Sequence, residues 1–262
     1  MSLPLESFPT PSLGVAIITK NAAAHLAACL ASLRELAADI VVVDSGSQDD
    51  TVAIAERHGA RVFQHPEWPG FGIQKNLALS YLQTDWILSL DADEVLTPEL
   101  AQSIAEAMRA GRADVYRLSR LSSMCGRWMR HSGWRPDYVA RLFRRGRARF
   151  SDDLVHERLL YEGEAPLLGG ELLHYSFDSL EEVIDKMNRY STAGASQRLA
   201  RGAGGGGMAA VIFKAWWSFC RAYIVRRGFL DGREGFIVAV SNAEGTFYRQ
   251  LKLLYLSERE KR

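Results

Sequence analysis

Early in the chain, three apolar runs each end in a short block of polar side chains. Leu13-Gly14-Val15-Ala16-Ile17-Ile18 gives way to Thr19-Lys20-Asn21, Ile40-Val41-Val42-Val43 to Asp44-Ser45-Gly46-Ser47, and Trp86-Ile87-Leu88-Ser89-Leu90 to Asp91-Ala92-Asp93-Glu94. Continuous runs rich in β-branched residues suit strands buried on both faces. Helical signals fill the gaps between them. Leu26, Leu30 and Leu33 recur at helical spacing, and residues 48–59 carry early acids, Ser47 as a candidate N-cap and Gly59 as a stop. Residues 72–83 also read as helix, Ala60–Phe63 as a short strand, and Thr97-Pro98-Glu99 opens a further helix with Pro in its first turn. Strand and helix alternate, so the expected architecture is a parallel sheet with helices on both sides. Ligands bind beyond the carboxyl ends of strands in such sheets, where all three polar blocks lie.

From residue 113 the pattern changes to short candidate strands rich in Arg and aromatics (114–120, 140–145, 156–161, 170–176), which suggests a mixed or antiparallel extension of the sheet. Residues 179–200 read as a helix with Ser179 as N-cap and Glu181 and Glu182 in its first turn, and GAGGGG at 202–207 as a linker or hinge. Residues 208–229 then mix Val211, Phe213, Trp216, Trp217, Phe219 and Tyr223 with Lys214, Arg221, Arg226 and Arg227. That composition suits a helix lying in a membrane interface, its Arg stems reaching toward anionic head groups. Three regions are therefore expected: 1–112, 113–178 and 179–262.

Composition narrows the function classes. A chain that is 47% hydrophobic and 24% charged is globular. Net charge is only +1, but it is distributed in blocks: −8 over residues 1–111, +9 over 112–149, −6 over 150–200 and +6 over 201–262. An acidic half with basic surfaces suits an anionic partner. Cys29, Cys125 and Cys220 form no C-x-x-C and cannot all pair, which points to a reducing compartment. The N-terminus shows no signal-peptide pattern, and no run of about 18 uncharged apolar residues marks a membrane span. The Arg-rich segment 112–149 could contact phosphate by charge alone, but no nucleic-acid motif accompanies it, so no nucleic-acid partner is expected.

Two carboxylates at D-x-D spacing just past a strand can turn toward one divalent ion that also binds a diphosphate. Hard oxygen donors favour Mg²⁺ or Mn²⁺. The plainer reading is a solvated turn leading into the helix capped at Thr97. A rival chemistry is the opening motif of haloacid-dehalogenase-type phosphatases, with the first Asp as nucleophile. That motif usually sits on a first strand, whereas three strand-and-helix units precede this one.

The ordered array V-A-I-I-T-K-N, I-V-V-V-D-S-G-S-Q-D-D-T, G-I-Q-K-N-L-A-L, W-I-L-S-L-D-A-D-E resembles the nucleotide-sugar-binding half of glycosyltransferase family 2, the inverting enzymes of GT-A fold. Later stretches, W-R-P-D, A-R-L-F-R-R, L-V-H-E and residues 174–190, resemble the subgroup that includes lipopolysaccharide core glucosyltransferases. The implied fold is α/β: a mostly parallel GT-A sheet flanked by helices, with a small mixed β extension and a C-terminal helical region. The implied reaction moves a hexose, glucose in the subgroup, from a UDP-sugar to a glycolipid acceptor such as the lipopolysaccharide inner core. Its implied location is the inner face of the cytoplasmic membrane.

On this resemblance Thr19, Asn21, Asp44, Lys75 and Asp91 would contact the nucleotide sugar, although Ala22 stands where the family often has Glu. Asp93 would bind Mg²⁺ or Mn²⁺, with Asp91 through water and His174 as a further candidate. Glu94 would support the metal site or charge a helix N-terminus. An inverting displacement needs a general base, for which Glu157 is the first candidate and Asp153 and Asp137 are alternatives. Trp134, Arg135, Arg141 and His156 would face the acceptor, with a solvated basic face as the plain alternative for the Arg-rich segment. Competing functions are a transferase for another cell-surface polysaccharide or lipid-linked glycan, and a non-catalytic nucleotide-sugar-binding module.

Overall fold

The parallel core follows from the continuous apolar runs of its strands. Its coordinates come from a computed structural model that describes residues 11–152, 157–204 and 206–259. Strand β1 (Leu13–Thr19) is buried along its whole length. It pairs in parallel with β2 (Asp39–Asp44) on one side and β4 (Trp86–Asp91) on the other, and β2 pairs with β3 (Arg61–Gln64). Leu13, Val15 and Ile17 join one apolar cluster with Val42, Trp86, Leu88 and Leu90. Ala16 and Ile18 join a second with Val41, Val43 and Ile87. Successive side chains point to opposite faces, so both faces of the sheet carry a core. Each fully buried Val, Leu or Ile contributes about 1.5–3 kcal/mol to that core.

Helices α1 (Ala23–Ala31), α2 (Thr51–Arg57), α3 (Phe71–Ser80) and α4 (Pro98–Ala110) alternate with these strands as expected. Thr97 caps α4 by accepting from the Leu100 amide, and Gly111, with φ of 57°, ends it in the left-handed region. Ser47 is not the N-cap of α2, which begins only at Thr51. Its hydroxyl instead donates to Asp44 and accepts from the Asn21 amide, while Asp49 accepts from the Thr51 amide.

The extension is antiparallel, as the change of pattern suggested. Strand β5 (Glu94–Leu96) follows the acidic turn, and then come β6 (Val115–Met124), β7 (Arg127–Trp128), β8 (Tyr138–Arg144) and β11 (Leu167–Phe177). The sheet order is β3-β2-β1-β4-β8-β6-β11-β5, with β7 paired to β6. Strands β9 (Ala148–Phe150) and β10 (Leu159–Tyr161) form a separate ribbon.

The chain divides into two compact units. One comprises the described residues up to Arg120 together with Asp137–His174; the other comprises Leu121–Pro136 and the described residues from Tyr175 onward. The second unit is mostly helical: α5 (Leu180–Ala200), α6 (Met208–Cys220) running on as a π-helical turn to Val225, and α7 (Gly232–Arg259). Ser179 caps α5 by accepting from the Glu182 amide. Lys252 on α7 donates to Ser191, Thr192 and both oxygens of Asn188 on α5, and Ser218 on α6 donates to the Asn242 carbonyl on α7. The reading that no stretch reaches membrane length needs amendment. Residues Met208–Val225 form one helix long and apolar enough to cross a bilayer by length and composition, and only 11% of it is buried. Lys214 and Arg221 interrupt it, which is why a search for an uncharged run passes over it.

Candidate active site

The first strand end is built by its own loop hydrogen bonds. Asp44, almost fully buried at the end of β2, accepts from Thr19 Oγ1 at 2.9 Å, from the amides of Gly46 and Ser47 and from the Ser47 hydroxyl. Asn21, at φ of 51°, accepts from the Gln48 amide at 2.8 Å. Asn tolerates this left-handed conformation because its short side chain bonds locally. Thr19, Asn21 and Asp44 thus form one knot that ties the β1 and β2 ends together. Behind it Gln74 donates to Ser45 Oγ at 3.0 Å, both residues being buried.

The second layer is a buried ion cluster. Lys75 on α3 is not an exposed helical lysine. It is 4% exposed, and its Nζ lies 3.0 Å from Asp91 Oδ1, 2.9 Å from Glu157 Oε1 and 5.2 Å from the centre of the Phe150 ring. Glu157 is held there by the close approach of α3 to the segment after β9. Asn76 exchanges two hydrogen bonds with the Phe150 backbone, and a Cβ on Gly72 would lie 1.9 Å from the Ser151 carbonyl oxygen, so no side chain fits at residue 72.

Asp91 also pairs with Arg141 Nη2, which reaches Glu94 Oε1 at 2.9 Å. Glu94 has no exposed surface; it accepts from the Asp91 amide at 3.0 Å and faces Arg120 at 3.4 Å. Arg120 in turn donates to Asp137 at 2.8 Å. Burial alone would raise the Asp91 pKa, but Arg141 and Lys75 outweigh it and hold the carboxyl well below the usual carboxylate range. The Arg141 guanidinium is correspondingly raised against the opposing effect of burial. Arg141 was expected at the acceptor; with its charge committed to two carboxylates it instead organises the acidic turn.

Asp93 stands apart from this pairing. Its side chain is 38% exposed and its Oδ2 lies 3.5 Å from His174 Nε2, which β11 presents opposite Glu94 in the β5 register. Lys75, Arg141 and Arg120 therefore face four carboxylates, Asp91, Glu94, Asp137 and Glu157, and Asp93 beside them adds a fifth. That surplus of two negative charges, with a half-open carboxylate beside an imidazole, is a donor set that fits one Mg²⁺ or Mn²⁺ completing its shell with phosphate oxygens and water. No cluster of three or more candidate protein ligands occurs among the described residues. Few protein ligands are usual for a cation that reaches its site with a diphosphate.

Of the remaining sequence candidates, Asp153 and His156 lie outside the described residues. Trp134 belongs to the second unit, where its ring lies 6.2 Å from that of Phe177, and Arg135 follows it there. Gln74, Arg120, Asn76 and Gly72 were missed. Three of these lie on α3, which buries Gly72, Gln74, Lys75 and Ala78 where an ordinary amphipathic helix would bury Leu or Ile, whereas Arg120 on β6 carries no comparable signal.

Residues 14–159 match the sequence model of glycosyl transferase family 2. An uncharacterized glycosyltransferase of Rickettsia felis is 33% identical over 90% of this chain and 87% of its own length. The lipopolysaccharide core biosynthesis glycosyltransferase LpsC of Rhizobium meliloti is 33% identical over 96% of this chain and 92% of its own. A crystal structure of glucosyl-3-phosphoglycerate synthase from Mycobacterium tuberculosis, in complex with Mn²⁺, UDP and glucosyl-3-phosphoglycerate, aligns with 43% of this chain and 44% of that one. Its identity is 22% and its TM-score 0.37.

Proposed function

The chain belongs to glycosyl transferase family 2 and has its GT-A fold, and from that premise we propose that it transfers a hexose from a UDP-sugar, with inversion, to a phosphorylated glycolipid of the lipopolysaccharide inner core. The observation that carries this reading is the ion cluster at the β4 end, where Asp91 and Glu94 pair with Lys75 and Arg141 while Asp93, beside His174, forms no such pair with a Lys or Arg among the described residues. The acceptor class is supported by the likeness to LpsC over nearly the whole chain. The phosphatase alternative is dropped with the family membership: its nucleophile would be Asp91, whose carboxylate is paired with two cations.

In this proposal Thr19, Asn21 and Asp44 shape the nucleotide end of the crevice, and Lys75 and Asp91 line its phosphate end. Asp93, with His174 and Asp91, would hold Mg²⁺ or Mn²⁺. That ion supplies neutralising charge for the departing diphosphate. Glu157 takes the proton of the acceptor hydroxyl as that oxygen bonds to the anomeric carbon and the bond to UDP breaks, its electron pair leaving with UDP. Glu157 is preferred to Asp137 because Lys75 joins it directly to Asp91, whereas Asp137 reaches the acidic turn only through Arg120 and Glu94. Arg141 orients Asp91 and Glu94, leaving Trp134, Arg135 and His156 for the acceptor. Trp216, Trp217 and their exposed neighbours rest the second unit on the inner face of the cytoplasmic membrane.

The test is a thermal-shift screen of nucleotide sugars with Mn²⁺, followed by transfer assays on native protein and Asp93→Asn. A UDP-hexose should raise Tm only with the metal present, and Asp93→Asn should lower turnover by about 10²–10³-fold. Full turnover in that variant overturns the metal site. A UDP-sugar that binds but is neither transferred nor hydrolysed would point to the non-catalytic binding module instead.

A further inference from the structure

The second unit holds a cavity of which the proposed reaction uses only Trp134. Its volume is about 330 Å³, within the range of small-ligand sites. Trp134, Phe177, Val183 and Tyr190 give its lining an apolar and aromatic part, and Lys186 and Arg249 a cationic one. No Asp or Glu lines it among the described residues. Lys186 Nζ lies 4.5 Å from the centre of the Phe177 ring, so the two parts of the lining adjoin.

Arg249 is the unusual member. Its stem crosses α5 at Gly194, where an added Cβ would lie 2.9 Å from Arg249 Cδ, so the glycine is what admits it. Its Nε is buried without a hydrogen-bond partner among the described residues. A buried donor left unpaired costs about 1–3 kcal/mol, and more when charged. Burial and the nearby Arg198 both push the Arg249 pKa down, so the protein itself supplies repulsion here where a guanidinium normally finds a carboxylate. An anion is what Arg249 lacks among the described residues, and the apolar side chains of the same lining suit an apolar body attached to that anion. The open face of α6 in the same unit, with Phe213 61% and Trp216 57% exposed, suits a source in a bilayer.

We propose that this cavity binds one phosphorylated lipid drawn from the membrane, with its phosphate at Arg249 and Lys186 and its hydrocarbon against Trp134, Phe177 and Val183. The assignment of that lipid as the acceptor's own anchor rests on the glycolipid-transfer reading; the binding site itself does not.

The experiment titrates full-length protein with dodecyl phosphate below its micellar concentration. Dodecyl maltoside and inorganic phosphate serve as controls, and binding is followed by Tm and tryptophan fluorescence. Dodecyl phosphate should give a saturable shift at concentrations at least about tenfold below the maltoside, and Arg249→Gln should raise its midpoint about tenfold or more, as loss of a charged hydrogen bond predicts. Inorganic phosphate should give none. Equal response to the neutral detergent, a response to phosphate alone, or an unchanged midpoint in Arg249→Gln overturns the proposal. Should that variant fail to fold, Gly245→Leu fills the cavity from α7 and should abolish the shift; its persistence is equally fatal. The Mn²⁺-dependent shift by UDP-hexose, read on the same samples, tests the transferase reading separately.

Discussion

Glu94 has no exposed surface although it is charged, and Trp216 is 57% exposed although it is apolar. The first unit takes charges out of water and makes them tolerable by pairing: Glu94 with Arg141 and Arg120, Lys75 with Asp91 and Glu157. The second leaves Ile212, Phe213, Trp216, Trp217, Ile224 and Val225 in the open; each unit keeps one buried guanidinium Nε without a hydrogen-bond partner among the described residues, but Arg141 sits between two carboxylates whereas the charge nearest Arg249 is that of Arg198. A closed set of ion pairs is a preorganised polar site, able to stabilise developing charge without reorganising. An open apolar helix beside an uncompensated cation is a surface with something still to bind. If this division of labour is right, changes in the first unit should alter chemistry and stability, and changes in the second should alter partition.

The largest effect should come from Glu157→Gln. Removing a general base lowers kcat by about 10²–10⁴-fold. Because the amide can still accept from Lys75, the Mn²⁺-dependent Tm shift by UDP-hexose should persist. Normal transfer in this variant would move the search to Asp153, and loss of donor binding along with kcat would make Glu157 a positioning residue for Lys75.

Legibility follows the same division. The parallel strands and the three polar strand ends could be read because both faces of a parallel sheet demand continuous apolar runs, as β1 and β2 show. The partners inside the cluster could not. Arg141 and Arg120 looked like members of a basic surface, because sequence counts charges without showing which carboxylate each will meet 26 to 50 residues away. Ser47 misled for a related reason: an N-cap signal is local, whereas its hydroxyl is used by Asp44 and the Asn21 amide. The aromatic character of α6 was legible, but the cavity was not, since Trp134, Phe177, Lys186 and Arg249 come from four separate stretches of chain.

A second effect sharpens the buried half of the comparison. Arg141→Met leaves Glu94 buried with only Arg120 at 3.4 Å and the Asp91 amide, and breaking a buried pair in this way costs about 3–5 kcal/mol. The urea midpoint should fall accordingly, and its pH dependence should change with it. Asp91 has a folded pKa below its unfolded value near 3.8, so its contribution is fully present above that value and is lost as pH falls through the lower, folded pKa. Native protein should therefore keep this contribution in mildly acidic solution. In Arg141→Met the depression shrinks, so less of this stabilisation remains to be lost and the native–variant gap should narrow only below about pH 3.8. A variant as stable as native protein at pH 7 would mean that the cluster is solvated rather than buried.

The smallest effect should be the double substitution Trp216→Ser, Trp217→Ser, and it tests the exposed half. Both rings stand half or more open on α6, so their loss should cost little folding energy, and Tm should stay within a few degrees of native. On anionic vesicles the two rings no longer enter the interface. A large apolar side chain contributes about 1.5–3 kcal/mol on burial, so even a fraction of that from each ring lowers the partition coefficient about tenfold. Arg221, Arg226 and Arg227 remain, so residual binding should become more salt-sensitive, electrostatics now carrying what the rings had shared. Flotation at two salt concentrations separates these contributions. Unchanged partition at both would show that the exposed face of α6 meets a protein rather than a bilayer. A sharp fall in Tm would show that these rings belong to the fold, and that the contrast between the two units is one of degree.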